Sequence, residues 1–394
     1  MRGAVCVSIG VMKIKEISAR KILDSAGNWT IETKVELKDG ASGVASVPSG
    51  VSVSGWEAKT VSADKAVKNV QDVVVGALQG RSPCNQATVD KTLIELDGTS
   101  DKRRLGANTI LSVSLAFCRA AAKSSDLPLF RHLAKTFQLT RFARFRLSPK
   151  TPSSFKLPRL MVLLFEGGKH GSGKLCAQEF MAIAKDVKQG LKLYKIAWEH
   201  LQKSGESLSV GLEGGFTPDI DDREAVEVLN YILGGNPLAL DVAFDSCENK
   251  NLNYQKFLGK LNVRSIEDPF GADDWDTWVE FTKGWSSQAL VVADDLVATS
   301  PERLKEAIER HAANAVIVKP NQIGTLSETL EVVRLAKFAG WKIVVSHRAD
   351  ETNDDFIADL AVGVGADYVK FGGFARGERL AKYNRLLEIQ NGLK

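Results

Sequence analysis

The second half of the chain repeats one pattern, a short apolar run followed by a stretch of about 15 residues with helical periodicity. The runs are LALDV, VRSIEDPF, LVVADDL, AVIVKPN, KIVVSHR and DYVKFGG, between Leu238 and Gly373. They recur about every 25 residues, a length that holds one strand, one helix and two turns. Repeated strand–helix units favour a parallel sheet, and this regularity predicts a (β/α) barrel.

The first third of the chain follows no such repeat. TIETKVEL alternates as a half-buried strand does, whereas ANTILSVSLAFCRAAAKSS has apolar residues at helical spacing. Residues 141–160 are basic, rich in Pro and Ser and without a period, which is typical of a linker. We therefore predict an extension at 1–12, a smaller α+β domain at 13–140, a linker at 141–160 and a catalytic barrel at 161–394. Translation from Met12 instead of Met1 stays open.

Composition narrows the possible partners and the compartment. The 394 residues contain 52 basic and 48 acidic side chains, a net charge of +4 that does not favour a nucleic-acid partner. Nowhere do about 18 apolar residues follow one another, so no membrane span is expected. The five cysteines have no metal-site spacing and predict reduced thiols in a cytoplasmic protein.

Each of the six apolar runs ends in a polar residue; in chain order these are Asp241, Glu267, Asp294, Lys319, His347 and Lys370. The carboxyl ends of barrel strands converge on one rim, so we expect these side chains to form one site. Three buried carboxylates repel each other, and a hard divalent cation such as Mg²⁺ would relieve that repulsion. The three basic residues would then face the metal and bind an anionic substrate.

The segment GKHGSGKL, Gly168 to Leu175, resembles a phosphate-binding loop but ends in leucine where Mg²⁺ ligation requires a hydroxyl. Nucleotide binding is therefore disfavoured. The segment instead offers His170, followed closely by Gln178 and Glu179. Glu213 in VGLEGGF forms a second acid pair with Glu179, of which the protonated member could serve as general acid.

Several motifs in this order resemble the enolase family, the phosphopyruvate hydratases, from about Lys13 to the carboxyl terminus. They are ILDSAGNWT, VPSGVS, IELDGTSDKRRLGAN, GGKHGSGKLCAQEF, GLEGGFTP, SIEDPF, ADDL, KPNQIGT, SHRADET and ERLAKYN. The resemblance implies an α/β fold with a small amino-terminal α+β lid domain. It also implies an atypical (β/α)8 TIM-type barrel of ββαα(βα)6 order, and a homodimer.

The resemblance also implies a role for each candidate residue in the interconversion of 2-phosphoglycerate and phosphoenolpyruvate. Asp241, Glu267 and Asp294 would hold a first Mg²⁺, and Ser52 would help to hold a second, substrate-dependent Mg²⁺. Lys319 would remove the C2 proton, with a pKa lowered by Lys370 and the metals. Glu213, assisted by Glu179, would protonate the departing C3 hydroxyl. The remaining substrate contacts would come from His170, Gln178, His347, Arg348, Ala349 and Lys370.

The chain departs from the usual enolase residues at several positions. Enolases usually have Arg at Ala26, Pro at Trp29, Ala at Val51, Gly at Ser54, Asn at Glu166, Asp at Leu212 and Ser-Gly at Ala349-Asp350. Two alternatives therefore stay open beside enolase activity. One is an enolase-like binding protein with weak or no turnover, and the other is a related dehydratase or racemase that acts on another carboxylate.

Overall fold

The computed structural model describes residues 12–49, 54–81, 85–142, 155–171, 174–246 and 261–393. The linker predicted at 141–160 and the extension predicted at 1–12 lie largely outside these ranges, as do Ser52 and Val51. Among the described residues, none of the helices combines the length and the apolarity that a membrane crossing requires.

The amino-terminal part contains an antiparallel three-stranded sheet in the order β1-β2-β3. Its strands are β1 Ile14–Leu23, β2 Trp29–Leu37 and β3 Ser42–Ser46. The alternation predicted for TIETKVEL is confirmed, because Ile31, Val35 and Leu37 are all buried. A Cβ at Gly43 would lie 2.1 Å from the carbonyl oxygen of Ala116, so only glycine lets the neighbouring helix approach this closely.

Five helices cover this sheet and lead towards the barrel. They are α1 Ala63–Asn69, continued by a π-helical turn Val70–Val74, α2 Val75–Leu78, α3 Gln86–Asp97, α4 Ala107–Ser124 and α5 Leu129–Phe142. The helix predicted from ANTILSVSLAFCRAAAKSS is α4, and its side chains are buried on almost every face. A helix that is apolar all round is typical of a protein core, and α4 lies between the sheet and the other helices.

The remaining strands close a barrel in the order β10-β11-β4-β5-β6-β7-β8-β9. They are β4 Arg159–Glu166, β5 Glu179–Ala184, β6 Leu238–Asp241, β7 Val263–Glu267, β8 Leu290–Ala293, β9 Ala315–Val318, β10 Lys342–Ser346 and β11 Tyr368–Lys370. β5 pairs antiparallel with both β4 and β6, and the other neighbours pair in parallel. The predicted fold, an atypical eight-stranded α/β barrel with a smaller α+β domain, is confirmed, and the structure adds that one strand is reversed.

Helices connect the barrel strands. They are α6 Val187–Ser204, α7 Asp222–Ile232, α8 Trp275–Trp285, α9 Pro301–Arg310, α10 Pro320–Ile323, α11 Leu326–Phe338, α12 Phe356–Val364 and α13 Gly377–Gly392. Two of them illustrate the signals with which such helices begin. The Ser300 side chain accepts a hydrogen bond from the Arg303 N–H and Pro301 follows it, while Thr325 caps α11 in the same way.

Buried ion pairs and hydrogen bonds join the amino-terminal part to the barrel. Asp354 accepts a hydrogen bond from the Ser46 N–H at 3.0 Å and pairs with Arg119 at 2.5 Å. Asp359 accepts one from the Phe130 N–H at 3.0 Å. These bonds replace the hydrogen bonds to water that the carboxylates lose on burial. Because the partners come from the other part of the chain, the two parts share a specific interface.

The cysteines differ from the sequence expectation at one position. Cys118 is a buried free thiol, and burial raises the pKa of this group above its ordinary range. Cys176 is disulfide-bonded, so the expectation of reduced thiols is wrong for this residue.

Candidate active site

The polar residues that end the six repeated runs all lie at one rim of the barrel. Asp241, Glu267 and Lys370 are the last residues of their strands, and Asp294, Lys319 and His347 directly follow theirs. A cavity opens at this rim. Ten of the residues that line this cavity were predicted from the sequence as site residues. They are His170, Gln178, Glu213, Asp241, Asp294, Lys319, His347, Arg348, Ala349 and Lys370. Five further lining residues, Glu57, Ala243, Asp268, Asp295 and Ser346, were not predicted.

The carboxylates of the rim form two clusters. Glu179, Asp241 and Glu267 place one oxygen each within 4.8 Å of one another, and so do Asp268, Asp294 and Asp295. The predicted metal ligands are therefore divided, with Asp294 in the second cluster. Both clusters consist of oxygen donors, the set that hard divalent cations prefer.

Lys370 lies at the centre of the first cluster. Its ammonium group is 2.6 Å from Glu179 Oε2, 2.9 Å from Asp241 Oδ2 and 2.7 Å from Glu267 Oε1. One positive charge thus faces three buried carboxylates. Burial, together with repulsion between the acids, raises the pKa values of Glu179 and Glu267 well above their ordinary range. The excess negative charge is a physical reason for a divalent cation to bind here.

Lys319 forms an ion pair with Asp294, which also accepts a hydrogen bond from the Gln322 side chain at 3.0 Å. Burial and the nearby Lys370 lower the pKa of Lys319, but the attraction of Asp294 outweighs them, so the pKa is raised. The predicted lowering depends on bound metal ions as well as on Lys370, and it stays a prediction. The sequence argument included the cations near this amine and left out the acid on the neighbouring strand.

The acid pair and two histidines occupy the other side of the cavity. His170 Nδ1 is 3.5 Å from Glu213 Oε2, and His347 Nε2 is 3.7 Å from Glu179 Oε1 and 3.8 Å from Glu213 Oε1. Burial opposes ionisation of Glu213, but the neighbouring His170, whose own pKa is raised, holds the pKa of Glu213 well below its usual range. The pKa of Glu179 is thus raised and that of Glu213 is lowered, so Glu179 is the member of the pair that holds a proton more readily.

Arg379, on α13, orients the second histidine. Its guanidinium lies 2.7 Å from His347 Nδ1 and donates to the backbone carbonyl oxygens of Arg348 and Ala349. Burial and this positive charge lower the pKa of His347 well below its ordinary value, so the ring is neutral. Arg379 stands in the ERLAKYN motif, but no role was predicted for it from the sequence.

Asp268 holds the second acidic cluster in place. Its carboxylate oxygens accept the N–H groups of Asp294 at 2.9 Å and of Asp295 at 2.8 Å. Asp268 has a positive φ of 43°, a conformation that non-glycine residues adopt at some cost and that is concentrated at functional sites. The adjacent acids in EDPF and ADDL are the sequence signal from which Asp268 and Asp295 could have been found.

The GKHGSGKL segment does not form a phosphate-binding loop in its described part. Gly168–His170 is a short 3₁₀ turn that is followed by β5 and not by a helix, and Leu175 is buried. The turn places the His170 ring in the cavity beside Glu213.

Glu57 reaches the rim from the amino-terminal part of the chain. Its oxygens lie 2.9 Å and 3.2 Å from the two terminal nitrogens of Arg348, and both side chains are buried. Such two-point pairing fixes the plane of a guanidinium as well as its position. We infer that Arg348 is oriented by a residue 291 positions away in sequence, which no local pattern could indicate.

Replacing Glu57 with alanine is expected to destabilise the protein by about 3 kcal/mol, because it removes the carboxylate that neutralises a buried guanidinium. Urea denaturation followed by circular dichroism measures this difference. Glu32→Ala is the control, since Glu32 pairs with Arg20 at the surface at 2.7 Å and such pairs contribute about 0–1 kcal/mol. Equal losses in the two variants would contradict the role of Glu57.

Two family models match the chain. The model "Enolase, N-terminal domain" matches residues 14–133, and "Enolase, C-terminal TIM barrel domain" matches residues 154–243 and 241–394. A curated protein of Mycobacteroides abscessus named "Enolase" is 40% identical over 422 residues, which cover 96% of this chain and 94% of that protein.

Proposed function

Because this chain belongs to the enolase family, we propose that it is a magnesium-dependent lyase that interconverts 2-phosphoglycerate and phosphoenolpyruvate. The observation that carries the proposal is the arrangement of the rim. Two lysines, Lys319 and Lys370, line one cavity with Glu213 and Arg348. Glu179 lies beside Glu213 and Lys370. This gives a proton acceptor, proton donors and an anion-binding group at one site.

The donor set fits divalent metal ions. Burial, together with repulsion between carboxylates that Lys370 alone does not balance, raises the pKa values of Glu179 and Glu267 well above their ordinary range. We propose that Asp241, Glu267 and Asp294 hold one Mg²⁺, and that Ser52, outside the described residues, helps to hold a second. When bound, these ions supply positive charge beside the substrate carboxylate, on which negative charge accumulates as the C2 proton leaves.

Lys319 is proposed to take the proton from C2. An amine accepts a proton only when it is neutral, and in the ligand-free protein Asp294 keeps Lys319 protonated. Lys319 could act as the base if another positive group neutralised the charge of Asp294. Lys370, with a pKa raised by its carboxylate neighbours, stays positively charged and faces the carboxylate of the substrate.

The second half of the reaction breaks the C3–O bond. Glu213, assisted by Glu179, is proposed to donate a proton to the departing hydroxyl, which leaves as water while the C2–C3 double bond forms. The pKa of Glu179, raised by burial, favours a proton on this pair. We propose that His170, Gln178, His347, Arg348 and the backbone at Ala349 bind and orient the substrate.

The direct test is the ultraviolet absorbance of phosphoenolpyruvate formed from 2-phosphoglycerate, with and without Mg²⁺. Magnesium-dependent formation supports the proposal. No product under conditions in which the protein is folded and binds Mg²⁺ would contradict it and would favour the alternative of an enolase-like binding protein.

The buried carboxyl group of Asp350 favours the alternative of an enolase-like protein with weak activity. Its side chain is 6% exposed, and its Oδ1 has no hydrogen-bond partner within the described ranges. Burial and the nearby Asp24 raise its pKa, and Arg348 and His170 are among its charged neighbours. A carboxylate in this position opposes the binding of a phosphate group.

Asp350→Asn is therefore expected to lower the KM for 2-phosphoglycerate by about three- to tenfold at neutral pH, because it removes a negative charge near the substrate at constant size. Initial rates over a range of substrate concentrations measure this change, and kcat should stay nearly constant. Asp276→Asn, on the exposed face of α8, is the control. An unchanged KM in Asp350→Asn would show that this carboxylate does not face the phosphate.

We also propose a cytoplasmic homodimer. Leu23 and Trp29 are directly opposite each other in β1 and β2, and both are more than half exposed. This apolar patch is available for contact with a second copy. Light scattering coupled to gel filtration measures the mass, and a monomer at micromolar concentration would contradict the homodimer.

A further inference from the structure

Glu166 lies at the end of β4 and is fully buried, although it belongs to none of the groups described above. Its Oε1 accepts the N–H of Glu213 at 2.8 Å, and its Oε2 accepts the N–H of Gly215 at 2.9 Å. Its own N–H donates to the carbonyl oxygen of Phe216 at 2.8 Å. Both the backbone and the carboxyl group of this one residue therefore hold the turn that carries Glu213.

The turn has space for this carboxyl group because residues 211 and 215 are glycines. A Cβ at Gly211 would lie 2.4 Å from Glu166 Cδ, and one at Gly215 would lie 2.9 Å from Glu166 Cβ. Distances below 3 Å require a shift of the backbone or of the acid, so a side chain at either glycine would displace Glu166. The tight fit makes the position of Glu213 depend on the position of Glu166.

Charged and titratable groups surround Glu166 on every packed element. Glu213 of the turn and His170 of the 3₁₀ turn each place one atom within 4.8 Å of a Glu166 oxygen. Glu179 is its partner in the register of β4 and β5, and the hydroxyl of Tyr194 on α6 donates to Gly214 O at 2.8 Å.

Two arginines complete these surroundings. Arg376 donates to Gly211 O at 2.7 Å, and Arg379 donates to Leu212 O at 3.1 Å, so both hold the same turn from the carboxyl-terminal segment. Neither guanidinium contacts the Glu166 carboxylate directly within the described contacts. The nearest charge that opposes ionisation of Glu166 is therefore that of Glu213.

Burial and repulsion by Glu213 raise the pKa of Glu166 to about 8, against the two N–H bonds and His170, which favour the charged form. Glu166 thus changes charge within a pH range in which enzymes are ordinarily assayed. Its charged form makes stronger, charge-assisted hydrogen bonds to the two amides than its neutral form does.

We propose that Glu166 is a positioning residue that helps Glu213 to donate its proton. Glu166 holds the Glu213–Gly215 turn against His170, and it holds this turn more strongly when its own carboxyl group is ionised. The inference rests on the proposed function, because it assumes that Glu213 donates the proton. Enolases usually have Asn at this position, a neutral amide that could hold the turn at any pH. The carboxylate makes the hold dependent on pH.

Glu166→Gln is the informative variant. A neutral carboxyl group and an amide both have one acceptor oxygen and one donor, so the two proteins should be alike at low pH. The ratio of the wild-type kcat to the Glu166→Gln kcat is expected to rise from near one at about pH 6 to about tenfold at about pH 9, with KM changing less than about twofold. Taking the ratio cancels ionisations that the two proteins share.

Glu227→Gln, at an exposed position on α7, is the matched control and should give a ratio near one at all pH values. A ratio for Glu166→Gln that does not change with pH would overturn the role of the charge. Changes in KM alone, with kcat unchanged, would overturn the role in proton donation.

Hydrogen exchange measured by mass spectrometry tests the hold on the turn without relying on turnover. Peptides that cover residues 211–216 should exchange faster in Glu166→Gln than in the wild type at about pH 9, by roughly tenfold, and should be unchanged in Glu227→Gln. Equal exchange would overturn the inference. A wild type without lyase activity, but with faster exchange in Glu166→Gln, would instead show that the proposed function has failed while the structural hold is real.

Discussion

Replacing Lys319 with alanine is expected to lower kcat by roughly a thousandfold or more while the fold stays intact. A positioned general base contributes about 10²–10⁴-fold to a proton transfer, and no other described amine lies at this point of the rim except Lys370, which three carboxylates hold in the charged state. The loss should be in kcat more than in KM, because a base acts on the transition state.

The measurement is the rate of phosphoenolpyruvate formation, with circular dichroism to verify the fold. Lys305→Ala, on the exposed side of α9, is the control and should retain full activity. Thermal unfolding supplies a second check, since the metal-free Lys319→Ala protein leaves Asp294 without its ammonium partner and should melt at a lower temperature. Near-normal turnover in Lys319→Ala would refute the assignment of the base.

Removal of divalent metal with a chelator is expected to abolish turnover, and added Mg²⁺ should both restore activity and stabilise the protein. A ligand at about 100 times its dissociation constant adds about 2.7 kcal/mol to the stability of the folded state, which is visible as a higher melting temperature. The physical reason is the excess of buried carboxylate over ammonium at the rim.

Asp241→Asn keeps the size of the side chain and removes one of these charges. The Mg²⁺ concentration for half-maximal stabilisation should rise by at least about tenfold, the smallest loss usual even for residues that only support a metal ligand. Asp72→Asn, an exposed carboxylate of the amino-terminal part, should bind Mg²⁺ as the wild type does. Unchanged Mg²⁺ stabilisation in Asp241→Asn would exclude Asp241 as a ligand.

The repeated part of the barrel was predictable from the sequence because one physical rule determines both its strands and its polar positions. All six apolar runs are strands, and each of their terminal polar residues lies at the same rim. The direction of β5 was not predictable in this way. EFMAIA is buried at every position, and a strand that is buried on both faces has the same pattern whether it runs parallel or antiparallel. Only the structure supplies that detail.

The features of the site that could not be predicted from the sequence depend on contacts between distant segments. Glu57 and Arg348 meet across 291 residues, and neither stands in a pattern that indicates a partner. The raised pKa of Lys319 has the same origin, since Asp294 comes from the neighbouring strand. The ligand and substrate roles that follow from the resemblance stay predictions, to be decided by the variants above.

The contacts between the amino-terminal part and the barrel have a consequence for how the molecule comes apart. Asp354 and Arg348 of the barrel form ion pairs with Arg119 and Glu57 of the smaller part. Asp354 and Asp359 also accept hydrogen bonds from the backbone N–H groups of Ser46 and Phe130. A barrel deprived of the first 140 residues would therefore lose the ion-pair partners of the buried side chains of Asp354 and Arg348. We expect the whole chain to melt in one calorimetric transition, and a fragment that contains only the barrel to be insoluble or only partly folded.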